Sequence, residues 1–364
     1  MPDSSFLKRE DLHVLLAALQ ADGYECIGPT VKDEAIVYDT VKTVADLAQG
    51  VQDTQEPGSY RLQKTPYKRN FSWANGPQAL KPITFKPREE LWRSRRTDTG
   101  QINFQPADIE SSPKAVIGVR ACDLAALYIH DKHFTHATYS DPNYNEQRKK
   151  LFLVAVNCTH PSASCFCAST GDGPRATYGY DLVLSELDEG FIIEARSARG
   201  ADMLQKLPVS VATDEQLRTA DKDIDQAARN QLRRIPSRNL RDVLFERLEH
   251  PRWQDVGARC LSCGNCASVC PTCFCHSEHE TPDLNGTESI HYREWDTCFT
   301  QGHSYIHGIT IRAETPARYR QWLTHKFGSW HDQFGRSGCV GCGRCITWCP
   351  VGIDVVEEIF AICS

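Results

Sequence analysis

Cysteine spacing is the first feature of this sequence that could do chemistry. The pattern Cys-x2-Cys-x2-Cys-x3-Cys-Pro occurs twice, as Cys260, Cys263, Cys266, Cys270, Pro271 and as Cys339, Cys342, Cys345, Cys349, Pro350. Three thiolates at three-residue steps can curl around one corner of an iron–sulfur cube, and Gly264 and Gly343 let the backbone turn tightly between them. The fourth cysteine, followed by proline, points away from its own loop and in two-cluster ferredoxins ligates the other cube. The expected ligand sets are therefore Cys260, Cys263, Cys266 and Cys349 for one [4Fe–4S] cluster, and Cys339, Cys342, Cys345 and Cys270 for a second. Zinc is the competing reading. A structural zinc site takes four ligands, usually two Cys pairs set apart, which does not account for three evenly spaced cysteines and a fourth before proline, twice over.

A second group lies in the N-terminal half. Cys122 and Cys158 each follow an apolar stretch that reads as a strand, and Cys165 and Cys167 follow in the same loop as Cys158. Ligands collect at the carboxyl ends of strands in open α/β sheets. If the two strands are neighbours, these four thiols converge and suit a third [4Fe–4S] cluster, with Asp123 as a substitute oxygen ligand. The competing reading is four buried, inert thiols. Cys273, Cys275 and Cys298 are left over. They either pack around the first cluster or hold another metal with His276 or His279. Cys26 and Cys363 read as structural. The segment from Gly171 to Ala176 fits a loose G-x-G-x-x-A pattern, but no strand leads into it and Pro174 falls inside, so it reads as a turn and not a nucleotide site.

These residues need elements to hold them. Leu12, Leu15, Leu16 and Leu19 recur at helical spacing, and 35–38 is β-prone. The stretch 40–110, rich in Pro, Gly and Gln, reads as an irregular surface excursion in which Trp73 and Trp92 pack. Two continuously apolar strands, 114–119 and 151–156, predict a parallel α/β unit, with a further strand near 191–195. From 214 to 250 the chain reads as helix, with Leu240, Val243, Leu244 and Leu248 on one face. The insert between Cys270 and Cys339 reads largely as helix. The expected class is α+β: an N-terminal α/β domain (1–210) with a small, largely parallel sheet, a helical linker (211–250), and an α-helical ferredoxin-like dicluster domain (251–364).

Composition narrows the function. The 364 residues carry 41 Lys+Arg against 47 Asp+Glu, a net charge of −6. That balance gives no reason to expect nucleic acid or an anionic membrane as partner. Arg233, Arg234, Arg238 and Arg241 alternate with acids and read as a solvated helix face. Mean hydropathy is −0.45, and no apolar run approaches a membrane span. The N-terminus does not read as a secretory signal, and Arg95-Arg96 is too internal for twin-arginine export, so the expected compartment is the cytoplasm. Seventeen cysteines, an odd number, then point to metal or redox chemistry and not to disulfides.

The segments GVRACDLAAL (118–127), NCTHPSASCFCASTGDGP (157–174), CLSCGNCASVCPTCFC (260–275), REWDTCFT (293–300) and GCVGCGRCITWCPVGID (338–354) resemble the iron–sulfur β subunit of cytoplasmic [NiFe] sulfhydrogenases and the related A subunit of anaerobic sulfite reductase. The likeness runs from about residue 80 onward. It implies an electron relay between a flavin subunit using NAD(P)H and a [NiFe] hydrogenase module. The alternative partner is a sulfite-reducing or heterodisulfide-reductase-type complex. The resemblance also favours the third cluster. On this reading the chain holds no flavin or nicotinamide and turns over no substrate alone. Two other classes compete. An iron–sulfur redox sensor would need an effector surface such as a helix-turn-helix, and none is legible. A self-contained enzyme would need an open iron site at the sheet edge.

Overall fold

The computed structural model describes residues 4–74, 76–78, 80–109, 111–236 and 239–364; Arg238 lies outside them. The largest sheet has eight strands, in the order Ser210–Val211, Ser5–Lys8, Gly190–Ala195, Leu182–Glu186, Leu151–Val156, Lys114–Val119, Glu25–Lys32, Ala35–Thr40. Pairing is parallel from Leu182–Glu186 through to Glu25–Lys32 and antiparallel on both flanks. The sheet is thus larger and more mixed than the small parallel unit expected. Its outer strands come from short hairpins and from the N-terminal residues, where the apolar signal is diluted by polar edge positions.

Strand Leu151–Val156 is buried throughout because both faces are covered. Phe152, Val154 and Val156 pack with Leu12, Leu15, Leu16 and Leu19 of the helix Leu12–Ala21. Leu151, Leu153 and Ala155 pack with Leu124, Leu127 and Phe134 of the helix Ala121–Phe134. The two-residue period of the strand sends alternate side chains to opposite layers. Each of the Phe, Val and Leu side chains contributes about 1.5–3 kcal/mol of burial. Lys114–Val119 carries an irregularity between Ile117 and Val119 at Gly118, whose φ is +85°. The bulge ends the strand just before the helix that carries Cys122.

The 40–110 stretch is not an irregular excursion. It contains the hairpin Val51–Glu56 with Ser59–Lys64 and the strands Arg88–Arg96 and Ile102–Pro106. These strands are polar and half-exposed, so they lack the alternation that marks a strand in sequence. Likewise the insert after Cys270 is not mostly helix. It opens with the hairpin His276–Pro282 and Glu288–Trp295, which pairs with Arg88–Arg96 in a four-stranded sheet. The two halves of the chain thereby share a sheet, joined further by the buried Arg293–Glu89 ion pair. Of the tryptophans in that stretch, Trp73 is in the core and Trp92 stacks on His291 at 4.4 Å.

The C-terminal part is built from helices Arg252–Arg259, Thr315–Thr324 and Val355–Cys363. Their apolar faces, with Trp253, Tyr319, Trp322, Leu323, Val356 and Ile359, form one core. The helix from Thr315 runs through a π-helical turn, His325–Ser329, before continuing as Trp330–Phe334. Such turns often re-aim a side chain at a functional site.

Candidate metal centres

The two Cys-x2-Cys-x2-Cys loops share one backbone. In the first, Ser262 has φ +50° and Gly264 +72°; in the second, Gly341 has +64° and Gly343 +75°. Each loop is followed by one helical turn, Asn265–Ser268 or Arg344–Thr347. In each an amide donates to the first thiol at 3.4 Å, Ser262 N to Cys260 Sγ and Gly341 N to Cys339 Sγ. Donation of this kind favours the thiolate. The one difference is the serine. A Cβ at Gly341 would meet Cys167 N at 2.5 Å, so the second loop, pressed against the N-terminal half, has no room for the side chain that the first loop tolerates.

Each loop borders a cavity whose wall is drawn from both runs. Cys260, Cys263, Cys266 and Cys349 line the first, together with Phe299, Tyr319 and Trp322. Cys270, Cys339, Cys342 and Cys345 line the second, with Phe166, Trp322 and Phe327. Cys345 borders both. The fourth cysteine of each run therefore borders the cavity lined by the other run's first three. The donor set suits a cluster better than a single ion. Sulfur ligands of tetrahedral zinc at about 2.3 Å lie about 3.8 Å apart, and among the described residues neither quartet brings even three ligand atoms within 4.8 Å of one another.

The N-terminal group also converges. The strands Lys114–Val119 and Leu151–Val156 are neighbours, which places Cys122 and Cys158 at one sheet edge. Cys122 and Cys167 pack in one apolar cluster with Cys342. The Cys165 thiol lies 3.2 Å from Ser162 Oγ and 3.8 Å from the Cys342 carbonyl oxygen, to which it donates. Gln231 Nε2 donates to Cys167 Sγ at 3.2 Å. Burial pushes the Cys165 thiol up to about 12, with the nearby Cys158 and Cys342 sulfurs adding to the effect. Thiols held so are neutral unless a metal deprotonates them. Asp123, the substitute ligand considered from sequence, is engaged elsewhere. Its carboxylate accepts from Arg344 at 2.7 and 3.1 Å, and both residues are 1% exposed. Gly171 to Ala176 leads into no helix; it doubles back so that Pro174 O accepts from Cys158 N at 3.1 Å.

Arg344 and Lys326 escaped the sequence reading, since each is one charge among many. Arg344 reaches out of the second loop to Asp123 and to the carbonyls of Gly76 and Gln78. Lys326, in the π turn, donates to Cys270 Sγ at 3.4 Å and to Thr272 Oγ1 at 2.8 Å. Burial alone would lower its pKa, but the thiols of Cys270, Cys273 and Cys339 outweigh that and raise it. A buried cation thus faces the second cavity.

Residues 259–353 match the 4Fe–4S dicluster domain family. This is an iron–sulfur protein. Over 283 residues it is 28% identical to the sulfhydrogenase 2 subunit beta of Pyrococcus furiosus, a match covering 77% of this chain and 81% of that relative. Both likenesses agree with the resemblance read from the sequence, that to an iron–sulfur subunit of the sulfhydrogenase kind. No solved structure matches it. Among the described residues, no helix is long and apolar enough to cross a membrane.

Proposed function

We propose that the chain relays electrons through three [4Fe–4S] clusters, between a flavin subunit linked to NAD(P)H and a [NiFe] hydrogenase module, in the cytoplasm. The first cluster would be held by Cys260, Cys263, Cys266 and Cys349, the second by Cys339, Cys342, Cys345 and Cys270, and the third by Cys122, Cys158, Cys165 and Cys167. The clusters supply one-electron storage at potentials that the protein sets through charge, hydrogen bonds and burial.

One observation carries the reading: the three thiol groups adjoin in series. Cys342 touches the N-terminal group, and Cys345 separates the second cavity from the first. The apolar residues between them exclude water, while Cys263 and Leu261 expose the first group at the surface. Three adjoining sites, of which the first reaches the surface at Cys263, suit an electron conductor.

The test uses the full chain purified without oxygen. It should show cluster absorbance and no flavin, and oxidise NAD(P)H only once a flavin-bearing partner is added. Stoichiometric flavin, or dye reduction by NAD(P)H without a partner, overturns the reading.

A further inference from the structure

Cys275, Cys298 and His303 belong to none of the three thiol groups. Cys275 stands just before the strand His276–Pro282, and Cys298 just after its hairpin partner Glu288–Trp295. The hairpin register, with His276 opposite Trp295, brings the two cysteines together at its open end. The backbone closes there as well, Asp296 N donating to Cys275 O at 2.9 Å. His303 comes from the 3-10 turn Gln301–Ser304 that follows. One ligand atom from each residue lies within 4.8 Å of the others, and among the described residues this is the one such trio of Cys, His and acidic side chains.

That spacing is what separates this trio from the cluster quartets. Sulfurs around a single tetrahedral zinc sit about 3.8 Å apart, so this group has nearly closed to mononuclear size while the quartets stay wide. A second feature points the same way. His303 Nδ1 lies 3.1 Å from Asp296 Oδ2, and that carboxylate is itself held by the hydroxyl of Ser277 and the amide of Thr297. A carboxylate on one ring nitrogen of a histidine fixes the tautomer and presents the other nitrogen, the usual outer support of a metal-bound imidazole. A disulfide between the two cysteines would use neither His303 nor Asp296.

We propose that Cys275, Cys298 and His303 Nε2 bind one zinc ion, with Asp296 as the positioning residue for His303 and water in the fourth place. Two thiolates and an imidazole are a borderline-soft donor set that suits zinc over magnesium or calcium. Binding releases the protons of both thiols. The ion ties the open end of the hairpin to the 3-10 turn, and, being redox-silent, takes no part in electron transfer. The sequence hinted at a metal here but paired it with His276 or His279. His276 instead packs its ring edge-on against Phe85, and His279 sits beside Tyr292.

The test is elemental analysis of the full chain, purified anaerobically in metal-scavenged buffer. The expected result is about one zinc per chain in addition to the cluster iron. His303→Gln and Cys298→Ser should each lose the zinc and keep the iron and the cluster absorbance. Asp296→Asn, milder and chosen to leave the fold intact, should weaken zinc retention against a competing chelator about 10–100-fold. Three outcomes overturn the proposal: iron at full occupancy with no zinc, loss of iron in step with the His303→Gln change, or a Cys275–Cys298 disulfide in peptide maps of protein alkylated under denaturing conditions.

Discussion

Lys326 Nζ lies 3.4 Å from Cys270 Sγ, and both residues are buried. A fixed positive charge at that distance favours the reduced, more negative form of any cluster that Cys270 ligates. Lys326→Met should therefore lower the potential of the second cluster, by on the order of 100 mV at an effective dielectric near 20. Lys326→Arg should keep most of the effect. Redox titration followed by electron paramagnetic resonance reads both; an unchanged potential in the methionine variant counts against a charge effect.

The proposed crossing of Cys270 and Cys349 gives each cluster a distinct set of sensitive positions. The reduced-state spectrum of Cys349→Ala should match that of Cys263→Ala, and Cys270→Ala should match Cys342→Ala. If Cys270→Ala instead reproduces Cys263→Ala, each run ligates its own cube.

Removing the third site should be quantitative. Cys158→Ser should lower iron from about twelve to about eight atoms per chain while leaving the two C-terminal cluster signals. Iron that stays at about eight in both proteins would mean that the N-terminal thiols are inert.

The Asp123–Arg344 pair should be costly to break. Asp123→Asn leaves a buried guanidinium without its counter-charge, a loss of about 3–5 kcal/mol. The thermal midpoint should fall sharply, and the double change Asp123→Asn with Arg344→Met should recover part of it. A double variant no better than the single one would show that Arg344 acts chiefly through its bonds to Gly76 and Gln78.

Acid sensitivity should trace in part to His130. Burial, then the neighbouring Lys81 and His133 charges, depress its pKa to about 3. The unfolded chain takes up this proton below about pH 6.5, whereas the native chain refuses it. Stability from this group is thus intact above pH 6.5 and falls with pH down to about 3, by about 1.4 kcal/mol per unit. His130→Leu should show a smaller loss between pH 7 and pH 5 than the wild-type chain, by thermal midpoint. Equal slopes would assign the acid sensitivity to other groups.

How much of this was legible depended on range. The cysteine runs state their chemistry within a dozen residues, and the strands Lys114–Val119 and Leu151–Val156 are apolar enough to be read directly. The hairpin Val51–Glu56 with Ser59–Lys64 was not. Its residues are polar because one face meets water and the other meets a polar loop. There the Thr347 hydroxyl bonds Gln55 and Ser164, Gly58 N donates to Ile346 O, and Tyr60 stacks on Trp348. His303 was missed as a companion of Cys275 for a similar reason. The hairpin register brings Cys275 to Cys298 and the turn that follows carries His303, and no spacing around Cys275 encodes it.

The two halves of the chain meet closely where Gly341 and Gly343 press against Phe166, Cys167 and Ser164, with Phe166 N donating to Gly341 O at 2.8 Å. That seam lies over Cys122, Cys167 and Cys342, which are buried together in one apolar cluster. An order of assembly is the expected consequence. With clusters bound as proposed, the inner thiols would be loaded before the two halves dock, whereas the outer quartet around the exposed Cys263 would stay open to repair and to damage by oxygen.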